Sequence, residues 1–129
     1  MSTRSVIAVL DDEPRMRSAL HRLLAAHGFV IENYACGTDL LTALPLSPAD
    51  CLLLDLHMPG MTGFDVLAAL AKQKCPMPIL VLTADDEPGT AERVFSLGAA
   101  AILKKPVDET MLVQAIKSVL AGQKPESAP

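Results

Sequence analysis

The chain has few aromatic residues and few cysteines. Its 129 residues include no tryptophan, one tyrosine and three phenylalanines, so the core must be built from leucine, valine, isoleucine, alanine and methionine. The three cysteines, Cys36, Cys51 and Cys75, are odd in number and have no C-x-x-C spacing. Nothing here indicates a disulfide framework, and we therefore expect a reducing, cytoplasmic environment.

The sequence also lacks long apolar runs and an excess of positive charge. No run approaches the ~18 apolar residues that a membrane-spanning helix needs. The first apolar run, VIAVL, is too short for a signal sequence and is followed at once by acids. The net charge of -4 argues against a surface that binds nucleic acid directly. The length is typical of one domain.

Five short apolar runs alternate with segments in which apolar residues recur at helical spacing. The runs predict strands over Val6–Leu10, Val30–Ala35, Cys51–Leu56, Ile79–Thr83 and Ala100–Lys104. The helical patterns run from Met16 to His27, Thr38 to Leu44, Phe64 to Ala71, Thr90 to Leu97 and Met111 to Leu120. Such alternation predicts an α/β fold, a parallel sheet with helices on both faces. The second run contains Glu32 and Asn33, which is typical of an edge strand.

Polar residues stand at the ends of four of the predicted strands. Asp11 and Asp12 follow the first, Asp55 comes near the end of the third, Thr83 ends the fourth, and Lys105 follows the fifth. The carboxyl ends of parallel strands lie along one edge of a sheet, and ligands bind there. The sequence therefore predicts that three acids, a hydroxyl and a lysine converge.

These residue types point to magnesium-dependent phosphoryl chemistry. Neighbouring carboxylates repel each other unless a cation lies between them, and oxygen ligands suit Mg²⁺. A carboxylate such as Asp55 can also accept a phosphoryl group. Lys105 would supply positive charge opposite the transferred group, and Thr83 could donate a hydrogen bond to it.

Four motifs in order, LDDEP, LLLDLHMPGMTG, VLTA and KKP, resemble the response-regulator receiver domain of bacterial two-component signalling. Each motif alone is weak, but four in order at strand ends are specific, and the resemblance runs from Val6 to about Leu120. It implies a flavodoxin-like (βα)5 doubly wound parallel sheet with strand order 2-1-3-4-5. We assign residues 1–122 to this domain and residues 123–129 to a polar tail or truncated linker.

The resemblance also implies roles for single residues. Asp55 would accept a phosphoryl group from the phosphohistidine of a sensor histidine kinase or a phosphotransfer protein. Asp12, Asp55 and the backbone carbonyl of His57 would bind Mg²⁺ directly, and Asp11 mostly through water. Thr83 and Lys105 match the switch hydroxyl and the lysine of the family, and the Lys105–Pro106 peptide bond is expected to be cis.

By the same resemblance the chain is a signalling domain and not a conventional enzyme. It would only catalyse its own phosphorylation and a slow hydrolysis of the product. The change would be transmitted to the face formed by helix 4, strand 5 and helix 5. This face would meet a downstream output domain or protein, or a second copy in a phosphorylation-dependent homodimer.

One position departs from the family pattern. Relatives usually carry tyrosine or phenylalanine three residues before the lysine, where this chain has Ile102. Isoleucine lacks a large swinging ring, so an alternative stays open: a receiver-like interaction module that works without phosphorylation.

Each residue also has a purely structural interpretation. Asp11 and Asp12 could cap the first helix ahead of Pro14. Asp55 could cap a turn, Thr83 could be an ordinary strand residue, and Lys105 a solvated lysine. Their predicted convergence at one edge favours the phosphoacceptor site.

Two further interpretations concern the surroundings of the site. Asp85 is expected in a solvated turn at the mouth, where it could tune the attack of water on the acyl phosphate. A flavodoxin-like cofactor binder is disfavoured, because DDEPRMR places acids where a phosphate-binding loop would be.

Overall fold

The computed structural model describes residues 4–123 and shows one sheet of five parallel strands in the order β2-β1-β3-β4-β5. The strands are β1 (Val6–Leu10), β2 (Val30–Tyr34), β3 (Cys51–Asp55), β4 (Ile79–Thr83) and β5 (Ala101–Lys104). The helices are α1 (Pro14–Ala26), α2 (Gly37–Ala43), α3 (Gly63–Lys72), α4 (Thr90–Ser96) and α5 (Glu109–Leu120). The predicted fold class, strand order and edge position of β2 are confirmed.

Three strand boundaries differ by one residue from the predicted ones. The strand β3 stops at Asp55 and not at Leu56, since the Leu56 carbonyl accepts a hydrogen bond from the Gly63 N–H at 2.9 Å. The strand β2 stops at Tyr34 and not at Ala35, and the last bond of its ladder with β1 runs from the Asp11 N–H to the Tyr34 carbonyl, at 3.3 Å. The strand β5 begins at Ala101 and not at Ala100.

Two apolar layers explain why the central strands are continuously hydrophobic. Alternate residues of a strand point to opposite faces, and both faces of β1, β3 and β4 are covered. On one face Ile7, Val9, Leu53 and Leu82 pack with α1 and α5 residues such as Leu24 and Ile116. On the other face Ala8, Leu10, Leu54 and Val81 pack with α2, α3 and α4 residues such as Leu40, Leu67 and Val94.

The connection from β3 to α3 is held by two local features. Thr62 caps α3: its hydroxyl accepts from the Asp65 N–H at 3.3 Å, and the Asp65 carboxylate accepts from the Thr62 N–H at 2.9 Å. Gly63 passes so close to the end of β3 that an added Cβ would lie 2.7 Å from the Leu56 Cα. The start of α3 is therefore fixed against the strand that carries Asp55.

Three further predictions concern the Lys105–Pro106 peptide bond, the predicted tail and membrane-spanning segments. The Lys105–Pro106 peptide bond is cis, as expected. Apart from Gln123, the predicted tail over residues 123–129 lies outside the described residues. Within residues 4–123, the helices are too short or too polar to span a membrane.

Candidate functional site at the carboxyl edge of the sheet

Three carboxylates meet at the carboxyl edge, where β1 and β3 lie side by side. Each of Asp11, Asp12 and Asp55 places a carboxylate oxygen within 4.8 Å of those of the other two. Asp11 and Asp55 are nearly inaccessible, at 2% and 9% exposure, whereas Asp12 faces solvent. This is the cluster of acids that the strand ends predict, with one member open to the outside.

Lys105 reaches the cluster from the far side of β4. Its Nζ lies 3.1 Å from Asp11 Oδ2 and 3.5 Å from Asp55 Oδ1. The Lys105 backbone N–H donates to the Thr83 carbonyl at 2.9 Å, which fixes the residue to the end of β4. Lys105 is therefore not a freely solvated lysine, because its side chain is only 17% exposed and contacts two acids.

The environment shifts the ionisation of this pair. Burial raises the pKa of the Asp55 carboxyl above its ordinary value; Lys105 opposes that shift, the charge of Asp11 adds to it, and a His57 backbone hydrogen bond opposes it. Burial alone would lower the pKa of Lys105, but its bond to Asp11 and the charges of Asp11 and Asp55 outweigh burial and raise that pKa. Burial therefore dominates the shift in the pKa of Asp55, whereas two neighbouring acids dominate the shift in the pKa of Lys105.

Thr83 ends β4 fully buried. Its Oγ1 accepts a hydrogen bond from the Asp85 N–H at 3.0 Å. The hydroxyl proton is not used in that bond, so it can be donated to an incoming oxygen atom. The polar side chain of Thr83 is thus held at the edge by the loop that follows it.

Asp11 is a member of the cluster and also stabilises the loop that precedes α1. Glu13 and not an aspartate is the N-cap residue of α1, and Pro14 opens the helix. Asp11 Oδ1 accepts from the Glu13 N–H at 2.9 Å while Oδ2 faces Lys105. The alternative in which Asp11 or Asp12 caps α1 is therefore wrong in its simple form, although Asp11 does hold the loop before the helix.

The His57 ring points away from the acids and towards the loop after β4. Its Nε2 lies 2.8 Å from Asp85 Oδ2. Asp85 also accepts hydrogen bonds from the Glu87 N–H at 2.8 Å and the Thr90 hydroxyl at 3.2 Å. The Glu87 bond, with help from His57 and Thr90, holds the pKa of Asp85 below its ordinary value. The expected solvated turn is therefore wrong for this side chain, which is 10% exposed.

Two more residues lie beside this loop, and no sequence motif predicts a role for either. The Phe64 ring lies edge-on to His57, with ring centroids 6.3 Å apart. The Arg93 guanidinium lies 3.9 Å from the centroid of Phe64. In the sequence Phe64 belongs to an apolar helical pattern, and no sequence signal pairs it with Arg93. Ile102, in β5, is half-buried beside the apolar layer of α2, α3 and α4.

The donor set fits a hard divalent cation. The cluster offers only carboxylate oxygens, and one of them is solvent-accessible, so waters could complete the shell that Mg²⁺ prefers. With Lys105 and Thr83 beside it, the acid pocket lies at the carboxyl edge of a 2-1-3-4-5 sheet. This fold and this pocket agree with the predicted receiver-type signalling domain.

Comparison of the sequence with known protein families agrees with this fold and site. The family described as response regulator receiver domain matches residues 7–117, and the chain belongs to this family. Receiver domains of response regulators are phosphoacceptor switches with Mg²⁺ in their acidic pocket. The residue roles predicted above for this chain stay predictions.

Several curated proteins are similar to the chain over nearly its whole length. The transcriptional regulatory protein FixJ of Bradyrhizobium diazoefficiens is 33% identical over 125 residues, which cover 97% of this chain and 61% of FixJ. The DNA-binding transcriptional regulator NtrC of Escherichia coli is 32% identical over 127 residues, which cover 98% of this chain and 27% of NtrC. The chain thus spans about three fifths of FixJ and about a quarter of NtrC.

Solved structures agree with the fold. The chemotaxis protein CheY4 of Vibrio cholerae has a TM-score of 0.84 at 26% identity, covering 89% of this chain and 98% of that one. The structure of FixJ-N has a TM-score of 0.85 at 26% identity, covering 94% of this chain and 96% of that one.

Proposed function

We propose that Asp55 accepts a phosphoryl group from the phosphohistidine of a sensor histidine kinase or a phosphotransfer protein. The observation that carries this proposal is the shared position of Asp11, Asp55 and Lys105, in which one ammonium contacts two buried carboxylates. Such a pocket holds positive charge beside a potential nucleophile, which is what an incoming phosphoryl group requires.

The proposed transfer is a simple displacement at phosphorus. An Asp55 carboxylate oxygen forms a bond to phosphorus while the phosphorus–nitrogen bond of the donor breaks, and the bonding pair leaves with the imidazole. Lys105 stabilises the negative charge on the phosphoryl oxygens, and the Thr83 hydroxyl donates a hydrogen bond to one of them. The transfer makes the chain a phosphoprotein and adds about −1.5 to −2 units of charge near pH 7.

We assign the magnesium ligands as the resemblance implies. Asp12, Asp55 and the backbone carbonyl of His57 would bind Mg²⁺ directly, and Asp11 mostly through water. The ion, when bound, supplies positive charge between the carboxylates and the phosphoryl oxygens. Without it, Lys105 is the cation that separates Asp11 from Asp55.

Transmission of the signal is proposed to start from Thr83 and Lys105. The Thr83 hydroxyl accepts from the Asp85 N–H, in the loop that leads into α4. The Thr83 carbonyl accepts from the N–H of Lys105, which lies in the connection that leads into α5. In α4 and α5 respectively, Phe95 and Met111 are large apolar residues that are 37% and 41% exposed. We propose that this α4/β5/α5 face meets an output domain, a downstream protein or a second copy of the chain.

One experiment separates this proposal from the interaction module that needs no phosphorylation, the alternative suggested by Ile102. The protein is incubated with Mg²⁺ and acetyl phosphate, and its intact mass is measured by mass spectrometry. We expect a gain of one phosphoryl group that is lost in Asp55→Asn and kept in Asp39→Asn, a control that neutralises an exposed acid of α2. A wild-type protein that gains no mass contradicts the proposal and favours the interaction module.

A further inference from the structure

Four side chains form a continuous bridge across the mouth of the site, and we name them the clasp: His57, Phe64, Asp85 and Arg93. His57 Nε2 lies 2.8 Å from Asp85 Oδ2, the His57 and Phe64 ring centroids are 6.3 Å apart, and Arg93 lies 3.9 Å from the Phe64 centroid. His57 and Phe64 belong to the β3–α3 loop and α3, whereas Asp85 and Arg93 belong to the β4–α4 loop and α4. The clasp therefore joins two segments that the sheet alone leaves separate.

Asp85 carries the restraint from the clasp to the site. Its carboxylate also accepts from the Thr90 hydroxyl at 3.2 Å, which ties it to the first residue of α4. Its backbone N–H donates to Thr83 Oγ1 at 3.0 Å. Because the same residue holds its side chain in the clasp and its backbone on the Thr83 hydroxyl, displacement of the loop breaks both contacts.

We propose that the clasp stabilises the unphosphorylated arrangement of the β4–α4 loop and so opposes movement of the Thr83 hydroxyl towards a phosphoryl group on Asp55. The proposal rests on the proposed function of Asp55. A contact present in only one of two arrangements shifts the population towards that arrangement, and it lowers the affinity for any ligand that prefers the other. The clasp residues are thus positioning residues for the switch, which act through Asp85 on Thr83.

Beryllofluoride, which mimics a phosphoryl group on a carboxylate, measures this effect in the presence of Mg²⁺. We expect both His57→Ala and Asp85→Ala to bind beryllofluoride about two- to fivefold more tightly than the wild type, as for loss of a pair in which one partner, here His57, is exposed. The double variant should gain little over Asp85→Ala, because Asp85→Ala already removes the contact that His57→Ala breaks.

A purely electrostatic effect of these substitutions would change the affinity for beryllofluoride in a different way. Loss of Asp85 removes an anion and would tighten binding of an anionic probe, but loss of His57 removes no anion and would weaken binding or leave it unchanged. Asp86→Asn, at an exposed acid next to Asp85, measures the charge effect by itself. Phe64→Leu changes no charge, and we expect it to tighten binding about twofold by releasing Arg93.

Hydrogen exchange of the Glu87 amide provides a second readout, since this N–H donates to Asp85 Oδ1. We expect faster exchange in His57→Ala and in Phe64→Leu, without any ligand. Unchanged exchange, or beryllofluoride binding by His57→Ala that is weaker than or equal to that of the wild type, overturns the clasp. Failure of the wild type to bind beryllofluoride overturns the proposed function of Asp55 instead, and the exchange measurement still decides whether the clasp restrains the loop.

Discussion

The Lys105 ammonium lies 3.5 Å from Asp55 Oδ1, although β3, which ends at Asp55, and β5, which precedes Lys105, are separated by β4. The long side chain of Lys105 crosses the end of β4 and reaches Asp11 as well, at 3.1 Å. One cation thus offsets two buried acids, so the stability of the fold and the chemistry of the site depend on the same contact.

Lys105→Met should destabilise the protein and slow its phosphorylation. Removal of the ammonium leaves the Asp11 carboxylate without its charged hydrogen-bond partner, which we expect to cost about 1–3 kcal/mol in the free energy of unfolding. Urea unfolding measures the loss, and intact mass against time in acetyl phosphate measures the rate. Lys104→Met is the matched control, because Lys104 is exposed, and it should change neither quantity. Equal effects of both variants would contradict the role given to Lys105.

Asp55→Asn should stabilise the metal-free protein at pH 7. Because burial raises the pKa of Asp55 in the folded state, ionisation of this group costs stability as the pH rises from the ordinary value of 3.8 through the folded pKa. Asparagine resembles the neutral acid and avoids that cost. Thermal midpoints in EDTA should therefore be higher for the variant at pH 7, and the difference should vanish below pH 3.8. A variant that is less stable than the wild type at pH 7 would show that Lys105 outweighs burial.

Mg²⁺ should raise the thermal midpoint of the wild type. A ligand that binds only the folded state stabilises it by about 2.7 kcal/mol at a hundredfold excess over its dissociation constant. Asp12→Asn should reduce this gain, since it removes one proposed ligand, whereas Asp39→Asn should preserve it. A thermal midpoint unaffected by saturating Mg²⁺ would rule out the cluster as a metal site.

Gly63→Ala should damage both the fold and the site. The added Cβ would meet the Asp55 carbonyl and the Leu56 Cα, which are backbone atoms and cannot rotate away. We expect a loss of about 1–3 kcal/mol, as for other overpacking changes, together with slower phosphorylation as the end of β3 shifts.

Gly28→Ala is the comparison for Gly63→Ala. Gly28 has open space around it but a φ of +89°, so alanine there tests backbone strain alone. It should cost about 1–2 kcal/mol and leave phosphorylation unchanged. If Gly63→Ala behaved in the same way, close packing of α3 against β3 would not be what places Asp55.

The sequence by itself determined the order of elements and the meeting of the acids with Lys105. Continuous apolar runs predict strands buried on both faces, and strands that alternate with helices must be parallel. Once the strands are parallel, residues that end them share an edge wherever they lie in the chain. Asp11, Asp12, Asp55 and Lys105 were therefore predictable as neighbours before any side chain was placed.

Only the tertiary structure decided how the loops beyond the strands contact one another. Asp85 looked like a solvated turn residue, and His57, Phe64 and Arg93 showed no pattern that pairs them with it or with each other. Their contacts depend on the path of two loops and on side-chain rotamers, which no periodicity encodes. Strand ends converge because a sheet has one carboxyl edge, whereas loop side chains meet only where packing of α3 and α4 brings them together.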